Sequence, residues 1–146
     1  MDEPVMQEYD ISADPALLDP ARIHRRLSAD AYWALGRSRA TVHAAIAAIA
    51  ASLKFFVCER SSGTQVGYAR VVTDHVTFAR LCDVYVDSAA RDRGIGVRLA
   101  ETVRDHLAPS GFRRILLATG DAHGAYEKAG CRGPEGPGRW MALINP

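Results

Sequence analysis

Apolar residues recur along this chain with two periods, and the switches between them outline its elements. From Asp19 the order DPARIHRRL puts a capping carboxylate before a proline at the first helical position, a start signal for a helix. Ile23 and Leu27 share its inner face. A second helix is predicted from about Thr41, with Val42, Ile46, Ile49 and Leu53 at helical spacing. Residues Val5 to Ile11 read as an edge strand. The period then shortens. Phe55 to Arg60 reads as a strand, SSGT as a hairpin turn, and QVGYARVVT as the returning strand. After DHVTFA comes a further strand, Leu81 to Asp87. The helical period returns in ARDRGIGVRLAETVRDHL, where Ile95, Leu99, Val103 and Leu107 form a buried stripe and Pro109 and Gly111 stop it. RRILLAT is a short, wholly apolar strand of the doubly covered kind. Asp121 to Ala129 makes a two-turn helix closed by Gly130, and RWMALIN is a final strand. The order is β-α-α-β-β-β-α-β-α-β, an α/β (α+β) chain with an antiparallel meander in its middle.

Length and composition narrow the class. The 146 residues, 48% hydrophobic and 24% charged, suit one domain spanning 1–146. A net charge of +1 excludes a bulk electrostatic partner, so neither nucleic acid nor a membrane surface is expected. Cys58, Cys82 and Cys131 have no zinc spacing and are odd in number, which argues for free thiols in a reducing, cytoplasmic setting. The five histidines lack metal-ligand spacing, so no metal is expected. His123 either lines a cleft or is exposed. MDEPVMQEYD is acidic without an apolar run, unlike a signal peptide, and TVHAAIAAIAASL is too short to span a bilayer.

The stretch around Gly94-x-Gly96 carries the chemistry. A dinucleotide fingerprint would need a third glycine where Leu99 stands, and a triphosphate loop would need Gly-Lys-Ser/Thr where Gly96-Val97-Arg98 stands. Two readings remain: a plain turn, or an anion site. The first amides of a helix have no internal partners and sit at the positive end of its dipole. Glycines there let a phosphate approach, and Arg91 and Arg93 add charge.

The flanks favour the second reading. Arg91-x-x-Gly94-x-Gly96, after a strand ending DVYVDSAA and opening a helix, resembles the coenzyme A pyrophosphate loop of the GCN5-related N-acetyltransferase (GNAT) superfamily, Gln/Arg-x-x-Gly-x-Gly/Ala. LLATGDAHGAYEKAGC resembles that family's next strand and helix, with Tyr126 on its tyrosine and Ala122 on its small residue, and GTQVGYARVV resembles its hairpin. The resemblance covers Phe55 to Cys131 well and the N-terminal helices loosely. Thr119 stands where the family commonly has asparagine, and Cys131 where it commonly has phenylalanine.

The resemblance implies a central mixed, mostly antiparallel sheet flanked by helices, with two splayed parallel strands, Leu81–Asp87 and Ile115–Thr119, holding acetyl-CoA between them. The pantetheine arm would pair with the backbone of Val84, Tyr85 and Val86, at a bulge. Thr119 would contact it in place of asparagine. The pyrophosphate would lie on the backbone of Arg91, Asp92, Arg93, Gly94, Ile95, Gly96 and Val97. Tyr126 would be the general acid toward the leaving sulfur. Asp83 has two readings: a general base acting through a water, or a structural partner of Arg80 or Arg70. A carboxylate in mid-strand calls for a partner in either case. Asp83, Tyr85 and Asp87 alternate with Cys82, Val84 and Val86 and so are expected to share a face. Tyr32, Trp33, Arg37, Asp74 and Phe78 would line the acceptor side, and their aromatic and cationic character suits an amine with a flat or anionic part, such as an amino acid. The implied activity is acetyl transfer from acetyl-CoA to a small-molecule amine by direct attack, in a monomer or homodimer. A non-catalytic acyl-CoA-binding module and a protein or peptide N-acetyltransferase stay open.

Overall fold

The computed structural model describes residues 8–47, 52–112, 114–134 and 136–145. Strand β1 (Tyr9–Ser12) leads into helix α1 (Pro20–Asp30) and helix α2 (Arg39–Ala47). The meander follows as β2 (Ser52–Glu59), β3 (Gln65–Thr73) and β4 (Ala79–Val86). Helix α3 (Ile95–Leu107) and the short helix α4 (His123–Lys128) complete the elements. The α1 start signal works as expected: the Asp19 carboxylate accepts the Arg22 amide hydrogen at 3.0 Å, with proline at the next position.

The four strands pair antiparallel in the order β1-β2-β3-β4. Alternation along them divides two cores. Phe55, Val57, Ala69, Val71 and Leu81 face α3 and meet Ile95, Leu99, Val103 and Leu107, all buried. On the other face Phe56, Tyr68 and Tyr85 meet Ile23 and Leu27 of α1 and Val42 of α2. Each face of the sheet is thus covered by the apolar stripe of a helix layer. Leu99 is 0% exposed at the centre of the first core, so Leu99→Ala is expected to cost about 2–5 kcal/mol. Urea denaturation monitored by circular dichroism checks this.

Three expectations need correction. Leu53 does not belong to the second helix: it pairs with Val71 in β2, its β-branched and aromatic neighbours favouring the strand. Ile49 of that stripe, and Val5 to Gln7 of the first strand, lie outside the described residues. The RRILLAT strand is reduced to one parallel bridge, Leu116 to Arg80, with bonds from Leu81 N–H to the Leu116 carbonyl and from Leu116 N–H to the Ala79 carbonyl. The last segment, residues 140–145, forms no strand. The Gly/Pro-rich run before it ends in a 3-10 turn at Pro137–Arg139, and Met141 and Leu143 are 96% and 95% exposed. The continuous apolar run there is strand-like in sequence but pairs with no strand among the described residues.

Candidate active site

The site begins where β4 and the segment after α3 part. Among the described residues a single parallel bridge, Arg80 to Leu116, joins them. Beyond that bridge both diverge, and an open cleft of about 1670 Å³ lies between β4, the loop before α3, and α4. Within β4 the register to β3 slips: Tyr68 faces Tyr85 and Arg70 faces Cys82, so Ala69 alone opposes Asp83 and Val84. This is a β-bulge, and Asp83 absorbs it with φ +54, a left-handed conformation that is costly for a residue other than glycine. The extra residue shifts the phase of the strand. Leu81 packs on the α3 side and so do Val84 and Val86, while Tyr85 joins the α1–α2 core. The expected common face of Asp83, Tyr85 and Asp87 survives, since all three contact α1 or the loop after it. Strict alternation does not, because the bulge intervenes.

At one end of the cleft the backbone forms a concave turn. Asp92 (φ +62) and Gly94 (φ +77) are both left-handed, and Gly94 is the N-cap of α3. The first helical bond runs from Arg98 N–H to the Gly94 carbonyl, so the amides of Ile95, Gly96 and Val97 have no intrahelical acceptor. A Cβ built on Gly96 meets nothing within 4 Å. Protein packing therefore does not require glycine there, and the room it leaves opens on the cleft, which it lines. Arg91 folds across the end of β4. Its Nε–H donates to the Val86 carbonyl at 2.9 Å, its Nη2 pairs with Asp30 at 3.1 Å, and its guanidinium stacks over the Tyr85 ring at 5.3 Å. Arg93 lines the cleft, but its guanidinium reaches back to the Tyr9 hydroxyl at 3.4 Å and to Glu8 at 3.5 Å.

Asp30 went unnoticed in the sequence, although it carried a signal. A carboxylate at the last position of α1 meets the negative end of the helix dipole and needs a counter-partner. It finds two: the Tyr85 hydroxyl, which donates to it, and Arg91. The Tyr85 bond, first, and Arg91 lower the Asp30 pKa. Burial, then Asp30, push Tyr85 up to about 12.

At the other end stands Tyr126 on α4, half-buried on the cleft wall. Among the described residues none hydrogen-bonds its hydroxyl. Burial, and then the nearby Cys131, Tyr32 and Asp121, push its pKa up to about 12. Thr119 lines the cleft too, its hydroxyl oxygen accepting the Ala122 amide hydrogen at 3.0 Å and so shaping the entry to α4. His123 is exposed and does not line the cleft.

Facing Tyr126 is the loop between α1 and α2. Asp83, its side chain 6% exposed, gathers this loop to the sheet. Its carboxylate accepts from Trp33 Nε1–H at 3.0 Å, Arg37 at 3.1 Å and Arg70 of β3 at 3.2 Å. The partner that a mid-strand carboxylate demands is thus a threefold one, and Arg80 is not part of it. Tyr32, Trp33 and Arg37 line the cleft as expected. Asp74 and Phe78 do not. The Asp74 carboxylate accepts three amide hydrogens of its own turn, from Val76, Thr77 and Phe78, and the Thr77 hydroxyl as well, which hold its pKa far below the usual range. It caps the β3–β4 loop and has little capacity left for a ligand.

Among the described residues no group of histidines, cysteines and carboxylates could hold a metal, and no helix is long and apolar enough to cross a membrane. Every residue expected around the coenzyme, from Val84 to Val86, from Arg91 to Val97, Thr119 and Tyr126, lies on this one cleft.

Residues 21–131 match the Acetyltransferase (GNAT) family. A Gibberella zeae protein described as an acetyltransferase is 32% identical over 135 residues, covering 78% of this chain and 73% of its own. A GNAT-family acetyltransferase from Xanthomonas campestris pv. campestris has the same fold with a TM-score of 0.82 and 40% identity, over 94% of each chain. An acetyltransferase from Clostridium acetobutylicum, solved with acetyl-CoA, shares the fold at 13% identity, with a TM-score of 0.63 over 93% of this chain and 94% of its own. The chain belongs to the GNAT family of acetyltransferases.

Proposed function

We propose that this protein binds acetyl-CoA in the β4–α3–α4 cleft and transfers the acetyl group to the amine of a small, anionic acceptor such as an amino acid. The observation that carries the reading is the run of the cleft, from the amides at Ile95–Val97, beside an unfilled Cβ position at Gly96, to the free hydroxyl of Tyr126. Those amides and the dipole of the 13-residue α3 suit a pyrophosphate. The bulge at Asp83–Val84 interrupts the ladder beside the cleft and suits an amide-bearing arm. Val86 offers less than expected, because Arg91 already occupies its carbonyl.

When bound, acetyl-CoA supplies an activated thioester, whose C–S bond breaks as the C–N bond to the acceptor forms. Tyr126 donates a hydrogen bond to the departing sulfur. The proton lost by the amine nitrogen balances the one finally gained by the thiolate, and both exchange with solvent. Asp83 is poorly placed to take that proton, since two guanidiniums and an indole N–H occupy its oxygens. We assign it the structural reading: it positions Arg37 and Arg70. With Arg80 these set three guanidiniums beside Asp83 on the cleft, with Asp121 near Tyr126, a balance that favours a carboxylate or phosphate on the acceptor.

Calorimetric titration with coenzyme A, followed by an acetylation screen across amino acids, polyamines and peptides, tests the function. Absence of coenzyme A binding removes the reading, and turnover of polyamines alone removes the anionic acceptor. Arg91→Ala and Arg93→Ala are each expected to weaken coenzyme A binding by about 1–3 kcal/mol, as loss of a charge-assisted contact does. Arg91→Ala should also lower the melting temperature, because Arg91 helps tie the end of β4 to α1. Asp83→Asn is expected to destabilise the fold by about 2 kcal/mol, less than a fully buried pair because Arg37 is partly solvated. It should raise the acceptor KM while leaving the acid limb of the kcat profile in place. Loss of that limb would restore Asp83 as the base.

A further inference from the structure

Tyr32 crosses the cleft. It belongs to the α1–α2 loop, which Trp33 and Arg37 fasten to Asp83, yet its own hydroxyl oxygen accepts the Gly120 amide hydrogen at 2.6 Å on the opposite wall. Its ring stands edge-on to Trp33, with centroids 5.0 Å apart. Tyr32 is 52% exposed, so core packing does not fix it there; the two polar anchors and the Trp33 contact do. It also lies near enough to Tyr126 to help raise that residue's pKa. The residue that receives it has no side chain for a steric reason: a Cβ on Gly120 would fall 2.8 Å from the Tyr32 hydroxyl and 3.2 Å from the ring carbon that bears it.

From this geometry we infer that Tyr32, seated on Gly120, is the wall that ends the acyl pocket and restricts the donor to short acyl thioesters. The inference rests on the acyl-CoA reading of the cleft and adds which acyl group it admits. A rigid aromatic ring bonded to both sides of a cleft leaves no path for a longer chain past Tyr126. Removing the ring opens space beside the Trp33 and Tyr126 rings of the cleft wall, against which a longer acyl chain can pack. Each further methylene of a bound chain then gains about fourfold in affinity.

The test is calorimetric binding of coenzyme A, acetyl-CoA and hexanoyl-CoA to the wild-type chain, Tyr32→Ala and Tyr32→Phe, without acceptor. The wild type is expected to favour acetyl-CoA over hexanoyl-CoA. In Tyr32→Ala the hexanoyl-to-acetyl affinity ratio should rise tenfold or more, with free coenzyme A bound as by wild type. Tyr32→Phe keeps the ring but loses the Gly120 bond, and its ratio should fall between the two. Exposure of Tyr32 makes all three chains expected to fold, which the coenzyme A titration itself verifies. An unchanged ratio in Tyr32→Ala, with coenzyme A still bound, overturns this inference alone. Failure of the wild type to bind coenzyme A overturns the reading beneath it.

Discussion

Tyr126→Phe is expected to lower kcat about 10- to 100-fold while coenzyme A affinity stays within a factor of two or so, the range for one hydrogen bond to a developing charge. Its ring packs against the α3-side core, and phenylalanine preserves that packing. What is lost is one hydroxyl with no protein partner among the described residues. The pKa decides how that hydroxyl acts. Burial first, then Cys131, hold Tyr126 near 12. A thiol leaving group has a pKa of about 8.5, judged from cysteine. The thiolate is therefore the weaker base, and the proton stays mainly on the tyrosine as a hydrogen bond to sulfur.

The pH dependence follows from the same shift. The raised pKa keeps the phenol neutral across the working range, so the ratio of wild-type to variant kcat should be constant from about pH 7 to 10. A ratio collapsing near pH 8 or 9 would mean that Tyr126 ionises within the range and acts as a titrating acid. In stability the sign is fixed as well. The neutral phenol's contribution is complete below the unfolded value of 10.0 and is lost as pH rises through about 12. Wild type should thus lose stability relative to the variant only above pH 10. Unchanged kcat in Tyr126→Phe would leave this residue to packing.

The legible parts of this chain were those decided locally. Asp19-Pro20, the stripe Ile95–Leu99–Val103–Leu107 and the hairpin between Glu59 and Gln65 each contain their own reason for the element they form. The glycine-opened start of α3 was legible for the same reason: its glycines and arginines lie within six residues of one another. Harder to read was what depended on partners distant in sequence. Leu53 has helical spacing from Ile49 but is claimed by Val71 across the sheet. RWMALIN is a short apolar run of strand length, yet sheet membership needs a neighbour, and composition says nothing of whether one is in reach. Asp83 was marked as needing a partner. That Trp33 and Arg37 would come to it from a loop some 50 residues away required the bulge, whose left-handed residue no local pattern announces. Asp74 and Phe78 belong to the acceptor wall only by what the family resemblance implies for the turn between the middle strands, and the Asp74 turn folds on itself instead.

Gly96→Val is expected to weaken coenzyme A binding about 100-fold, or ~2.7 kcal/mol, in a chain that folds as well as wild type. The two glycines of the loop have different reasons, and only one of them concerns the ligand. Gly94 holds φ +77 as the N-cap of α3, so any side chain there strains the backbone. Gly96 lies inside the first turn of α3 and has open space where its Cβ would stand. Replacing glycine within a helix relieves backbone entropy, and valine has the higher helix propensity, so stability should hold or rise slightly. The isopropyl group then stands where a pyrophosphate must approach the amides of Ile95 to Val97. Gly96→Ala, with a single carbon in that space, should fall between the two. Calorimetric titration paired with thermal melting separates the alternatives. A folded Gly96→Val chain that binds coenzyme A as wild type does would show that the glycine only shapes a turn. The phosphates would then have to lie elsewhere along the cleft.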